Sequence, residues 1–123
     1  MKFNLDRPAT THIVRSYAPG LIRIGDRDFS ASVIVTASVL IEAWRPRRMA
    51  DLAAVDLEPV LALQPAVLLI GSGERQVFPV PELLAALYAA RLGFEIMATG
   101  AACRTYNVLV AEGREVAAAL MIE

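Results

Sequence analysis

The spacing of apolar residues changes character twice along the chain. Ile13-Val14-Arg15-Ser16-Tyr17 and Leu21-Ile22-Arg23-Ile24 are short runs rich in β-branched residues. They are punctuated by Ala18-Pro19-Gly20 and Gly25-Asp26-Arg27-Asp28, both turn signals. Residues 29–44 are again rich in Val, Ile and Thr, and read as one long bent strand or two strands. Such close spacing predicts an antiparallel meander. Beyond Arg48 the period lengthens. Met49, Leu52, Ala53, Leu57, Val60 and Leu61 suit one or two short helical turns.

Ala66-Val67-Leu68-Leu69-Ile70 is a continuous apolar run ended by Gly71-Ser72-Gly73, as expected for a strand covered on both faces. Pro81 can open a helix over residues 81–91, with Leu83, Leu84, Leu87 and Tyr88 at helical spacing and Gly93 as its stop. Residues 94–97 form the next strand. Thr99 is placed to cap a helix that runs to Glu112 and ends at Gly113, and residues 116–122 form the last strand. Strand–helix–strand–helix–strand implies parallel pairing with right-handed crossovers. The expected fold is α/β: a mixed central sheet, antiparallel N-terminal strands that extend it, and a parallel βαβαβ C-terminal half. Residues 1–10 read as a loose tail and residues 11–123 as one domain.

Composition narrows the function. The 123 residues are 56% hydrophobic and 20% charged, enough for a self-supporting core with apolar surface left for an interface. A homo-oligomer, a dimer for example, is therefore expected. Lys+Arg 12 against Asp+Glu 13 lacks the basic excess of a nucleic-acid binder. Cys103 is the only cysteine and His12 the only histidine, so neither a disulfide nor a zinc or copper site is expected, and no cofactor is implied. The N-terminus lacks a signal-peptide pattern, and the most apolar windows are too short for direct membrane insertion, which takes about 20 residues. A cytoplasmic location follows as the expectation.

Chemistry in an open α/β sheet collects beyond the carboxyl ends of parallel strands. Gly71-Ser72-Gly73-Glu74-Arg75 and Ala98-Thr99-Gly100 should meet there, beside helix starts whose free N–H groups favour an anion. A helix terminus contributes only about 0.3–1 kcal/mol, so an anion site would also need Arg75 or Arg104. Gly71 and Gly73 equally suit a plain tight turn. Cys103, one turn into its helix, is either a thiol activated by the positive helix end or a packed one on a face with Ala102, Tyr106, Leu109 and Val110. Thr105 can bond back within its helix. Tyr106 is expected in the core with its hydroxyl paired. Asn107 in mid-helix asks for a specific hydrogen bond, structural or to a ligand. Arg104 is expected to be exposed, Glu112 and Arg114 can pair around Gly113, and Trp44-Arg45-Pro46-Arg47-Arg48 is either an anion- or partner-binding lip or a solvated loop around a half-buried Trp. No carboxylate pair or Ser–His–Asp arrangement stands out.

Several motifs taken together carry a resemblance. They are Gly71-Ser72-Gly73, Pro81-Glu82-Leu83-Leu84, Met97-Ala98-Thr99, Ala102-Cys103-Arg104-Thr105-Tyr106-Asn107-Val108-Leu109, Glu112-Gly113-Arg114 and Ala118-Ala119-Leu120. The chain resembles a family of small, largely uncharacterised bacterial proteins that are similar to the mitochondrial assembly factor three of respiratory complex I. The resemblance spans most of the chain and is most specific over residues 102–114. It implies a single three-layer α/β domain and a protein that works by binding partners, without known catalysis. Mitochondrial members need not carry Arg at the position of Arg104, so the resemblance gives that residue no essential role.

Three readings follow. The first is a non-enzymatic protein-interaction domain, an assembly or accessory factor for membrane-associated complexes, with a protein partner of unknown identity. The second is a small-molecule or anion-binding module at the carboxyl edge of the sheet. The third is a thiol-dependent enzyme using Cys103. The candidate binding residues are Gly71, Ser72, Gly73, Thr99, Cys103, Arg104, Asn107 and Arg114, with no catalytic or metal-ligating set.

Overall fold

The computed structural model describes residues 11–123, so the expected 1–10 tail lies outside the described residues. The N-terminal runs form three short antiparallel strands, β1 (Val14–Ala18), β2 (Leu21–Ile24) and β3 (Arg27–Phe29). The apolar stretch that follows splits into β4 (Ser32–Val35) and β5 (Leu40–Trp44), joined through a Thr36 side chain that accepts from the Ser38 and Val39 amides. Two 3₁₀ turns, Met49–Asp51 and Ala54–Leu57, lead into a one-turn helix α1 (Glu58–Ala62). Then come β6 (Val67–Gly71), α2 (Pro81–Ala89), β7 (Gly93–Met97), α3 (Thr99–Ala111) and β8 (Val116–Leu120).

The strands make two sheets rather than one. β1, β2 and β3 stand alone as a three-stranded sheet, while β5-β4-β8-β6-β7 form the mixed central sheet. Only β4 and β5 therefore extend the parallel half, which corrects the expectation that all the early strands would. The reason is burial. Val14, Ile22, Ile24 and Phe29 turn inward as a second apolar layer that packs on the central sheet beside α3. In the parallel half, β6 pairs with β7 on one side and β8 on the other, Val67 opposite both Gly93 and Val116. β4 closes antiparallel on β8, Val33 opposite Leu120.

The chain leaves β6 for β7 and then crosses back over β6 to β8, so right-handed connections put α2 and α3 on opposite faces. The alternation of β8 displays the result. Val116, Ala118 and Leu120 face the layer with α3, Cys103 and Tyr106, while Ala117, Ala119 and Met121 face the layer with α2, Trp44 and Leu57. All of β8 is buried, and its three alanines let both helical layers approach the sheet closely.

The ends of the helices differ from expectation in two places. α2 stops through Arg91, which itself takes the left-handed conformation (φ 60°), and Gly93 is already the first residue of β7. α3 begins after Ala98 with no side-chain cap, because the Thr99 hydroxyl is used elsewhere. Its far end behaves as read. Gly113 is left-handed (φ 79°), its N–H donates to Val110 O at 3.1 Å, and Arg114 N–H donates to Leu109 O at 3.0 Å, the paired bonds of a Schellman stop.

Candidate functional site

The glycine bend after β6 and the start of α3 do meet at the carboxyl edge of the sheet. They meet by closing on each other. The Gly73 amide donates to Thr99 Oγ1 at 2.8 Å, the Thr99 amide donates to Gly73 O at 2.7 Å, and Thr99 Oγ1 donates to Met121 O at 2.8 Å. Thr99 is wholly buried and holds the ends of β6, β7 and β8 together. A Cβ on Gly71 would stand 2.8 Å from Thr99 Oγ1 and 2.9 Å from Thr99 Cα. One on Gly73, whose φ is +105°, would stand 2.6 Å from the Glu123 carbonyl carbon. Glycine is required here for close approach of backbone to backbone. Ser72 folds the next turn: its hydroxyl donates to Arg75 O at 2.5 Å and accepts from the Val77 amide at 2.9 Å.

Cys103 is 5% exposed, and burial pushes its thiol up to about 12, the neighbouring Arg104 opposing the shift. It is a neutral thiol at physiological pH and packs against the core. Tyr106 is fully buried; its hydroxyl donates to His12 O at 2.8 Å, and burial raises its pKa. Asn107 answers the question its position poses. Its Oδ1 accepts from the Val14 amide at 3.0 Å and its Nδ2 donates to Val14 O at 2.7 Å. The amide thus acts as a strand neighbour for β1 at the point where the β1–β2 register slips. Thr105 donates to the Met97 sulfur at 3.7 Å rather than to a carbonyl of its own helix. Arg104 is exposed, as expected, and lies near Gly100 and Tyr17. Burial and then Glu74 raise the pKa of Tyr17.

Arg114 sits apart from the others. It precedes β8 and so belongs to the opposite end of the parallel strands, where it lines a surface hollow with Thr36, Val39, Gln64 and Val110. A second hollow, between His12, Arg15, Ile24, Asp26 and Leu40, is also remote from the glycine bend. No ion pair joins Arg114 to Glu112. Among the described residues no cluster of His, Cys, Asp or Glu could hold a metal ion.

The basic run after β5 is a structural clasp. Trp44 is 5% exposed rather than half-buried, and its indole N–H donates to Asp56 O at 2.9 Å. Arg45 grips the Asp56 carboxylate through Nε at 2.9 Å and Nη2 at 2.5 Å, and reaches Asp51 O. The Asp56 side chain also accepts from the Ala53 amide at 2.9 Å. The Arg45 hydrogen bond, and then that amide, hold the Asp56 carboxyl below the usual carboxylate range against the opposing effect of burial. Arg47 pairs with Glu123 at 2.6 Å and so fastens the chain end.

The sequence reading expected apolar surface for an interface but did not place it. Val77 (46% exposed), Phe78 (61%), Val80 (56%) and Tyr88 (71%) stand in solvent before and along α2. Tyr88 stands at helical spacing with Leu83, Leu84 and Leu87, yet only Leu83 and Leu87 of that helix are buried. Its ring instead meets Phe94 of β7 edge-on, with centroids 5.1 Å apart. The signal was present in the sequence: between residues 77 and 90 the single charge is Glu82. An amphipathic surface helix carries a polar outer face, and α2 exposes Ala85, Ala86 and Ala89, with Ala90 after them, and Glu82 as its one charge.

Three relatives frame these observations. A 13 kDa major membrane protein from Francisella tularensis subsp. holarctica is 30% identical over 105 residues, covering 83% of this chain and 84% of that protein. The NADH dehydrogenase (ubiquinone) 1 alpha subcomplex assembly factor 3 of Bos taurus is 26% identical over 118 residues, which cover 94% of this chain but span 63% of that longer protein. A crystal structure of a Bordetella parapertussis protein superimposes with a TM-score of 0.84 at 39% identity, covering 94% of this chain and 100% of that one. Residues 14–121 match the family described as a protein of unknown function (DUF498/DUF598), and the chain belongs to that family.

Proposed function

We propose that the chain is a non-enzymatic protein-interaction domain, residues 11–123 acting as one unit, that serves as an assembly or accessory factor for membrane-associated complexes. The observation that carries this reading is the apolar surface from Val77 to Ala90, which carries Glu82 as its one charge and holds Phe78, Val80 and Tyr88 in solvent. An exposed apolar patch of this kind marks a surface that another molecule covers. The relatives supply the setting. One is named a membrane protein and another an assembly factor of NADH dehydrogenase. No described helix is long and apolar enough to cross a membrane, so attachment through a partner fits this reading, and a cytoplasmic location is part of it.

The anion-binding alternative has less support. The polar groups it called on at Gly73, Thr99 and Asn107 are each engaged within the chain. The thiol-enzyme alternative has less again, since a buried neutral thiol is a poor nucleophile.

The test is affinity capture from a detergent-solubilised membrane fraction. The intact chain is expected to retain a defined subunit, and the double variant Phe78→Asp, Val80→Asp to lose it while keeping its fold, because both side chains are exposed. A partner retained equally by both proteins contradicts the reading, as does an intact chain that retains none.

A further inference from the structure

The strand edges of this fold are not treated alike. β5 bounds the central sheet on one side and carries a bulge: Ile41 and Trp44 face Ile34 and Ser32, which leaves two residues against one, with Ala43 left-handed at φ 56°. In the smaller sheet the Val14 backbone on β1 is occupied by Asn107. Bulges and covering side chains are how proteins stop strand edges from pairing with other chains.

β7, the other outer strand of the central sheet, has no bulge and a covering side chain at one carbonyl alone among the described residues. Its register against β6 is unbroken from Gly93 to Met97, and it contains no proline or lysine. Because the Met97 carbonyl turns inward to accept from Ser72 N–H at 2.8 Å, parallel alternation turns the backbone groups of Phe94 and Ile96 outward. The Gln76 amide covers one of these, the Ile96 carbonyl, at 2.9 Å. The Phe94 N–H and C=O and the Ile96 N–H have no partner among the described residues. Beside them lie the exposed Tyr88 and its stacked neighbour Phe94.

We propose that β7 is a dimerisation edge, which pairs antiparallel with β7 of a second copy about a two-fold axis at Phe94 and continues the five-stranded sheet into a ten-stranded one. The strand is complementary to itself in that arrangement. Phe94 exchanges both backbone bonds with Phe94 of the second copy. Glu95, the one charge on the strand, falls opposite a glycine, Gly93 of the second copy, so no charge faces it directly. Its two diagonals carry Glu95 of the second copy on one side and, on the other, Arg91 of the second copy, which precedes the strand; the spacing is about 7–8 Å, which long side chains bridge. The Tyr88–Phe94 pairs of the two copies meet on one face and cover the aromatic part of the exposed surface. Tyr88 belongs to both surfaces, whereas Val77, Phe78 and Val80 precede α2 and lie outside the paired strand, so the two readings are tested at different residues.

Sedimentation equilibrium of the full chain across the micromolar range, with amide exchange followed by NMR, tests this. A two-protomer mass is expected, with exchange at the Phe94 amide slowing as concentration rises. Arg91→Glu places like charges on both diagonals and should weaken association about tenfold, equivalent to about 1.4 kcal/mol. The double variant Arg91→Glu, Glu95→Arg should restore it. Phe94→Pro removes an N–H that β6 does not use and should give a folded monomer. A wild-type monomer throughout, a fast-exchanging Phe94 amide in a dimer, or association that ignores the charge reversal overturns the proposal. So does β7 pairing only with a segment of a different protein. Loss of partner capture with the dimer intact counts against the proposed function alone.

Discussion

Asn107 and Thr99 show how a polar side chain inside an apolar helix can build a fold. Asn107 gives Val14 the two hydrogen bonds that a neighbouring strand would give, and Val14 is only 4% exposed. Truncation leaves a buried N–H and C=O unpaired. Asn107→Ala is therefore expected to cost about 2 kcal/mol in urea unfolding, near the middle of the usual range for such losses; a change within error would show that water replaces the amide freely. The glycines separate in the same way. Gly73→Ala meets the Glu123 carbonyl as well as a disfavoured φ, whereas the left-handed Gly113 has open space around its missing Cβ. The expected costs are more than about 2 kcal/mol at Gly73 and about 1 kcal/mol at Gly113, and equal costs would refute the close-approach argument. Cys103 should resist alkylation in the native state at pH 8 and label only on unfolding, because its thiol is neutral and buried.

Elements were legible where period and punctuation agreed. The run Val67–Gly71, ended by Gly71-Ser72-Gly73, and the stop at Gly113 followed from local residue chemistry. Three features did not, each because a distant partner decided it. The Thr99 hydroxyl bonds to Met121 O, 22 residues away, instead of capping its own helix. Val14, Ile22, Ile24 and Phe29 form a separate layer, which alternation within each strand cannot distinguish from membership of the central sheet. The cations after Trp44 read as a binding lip or a solvated loop because Asp56, 11 residues from Arg45, was not visible as that residue's partner. That clasp gives the 3₁₀ segment a pH dependence. The Asp56 carboxyl is held below its ordinary value when folded, so its stabilising effect is complete above the unfolded pKa of about 4 and is lost as pH falls through the folded value. Urea midpoints measured between pH 7 and pH 2 should drop less steeply below pH 4 in Asp56→Asn than in the wild type, and parallel curves would remove Asp56 from the acid transition.

At the scale of the whole molecule, the polar run around Cys103 and the apolar face before and along α2 have exchanged the roles that residue type alone suggests. The former is largely folded into hydrogen bonds and core, while the latter stands in solvent. Sequence reading brought the glycine bend and the start of α3 to one edge of the sheet, where they meet, and found a resemblance that the family match supports. It could not foresee that the meeting of two loops would be a closed seam, because closure depends on contacts below 3 Å between residues 26 apart. Photo-crosslinking in cells that express the chain at native levels compares the two surfaces directly. A photoreactive residue in place of Phe78 should give a discrete adduct with a subunit of a membrane-associated complex, and the same residue in place of Arg104 should give none. Adducts from position 104 with silence at position 78 would contradict the account.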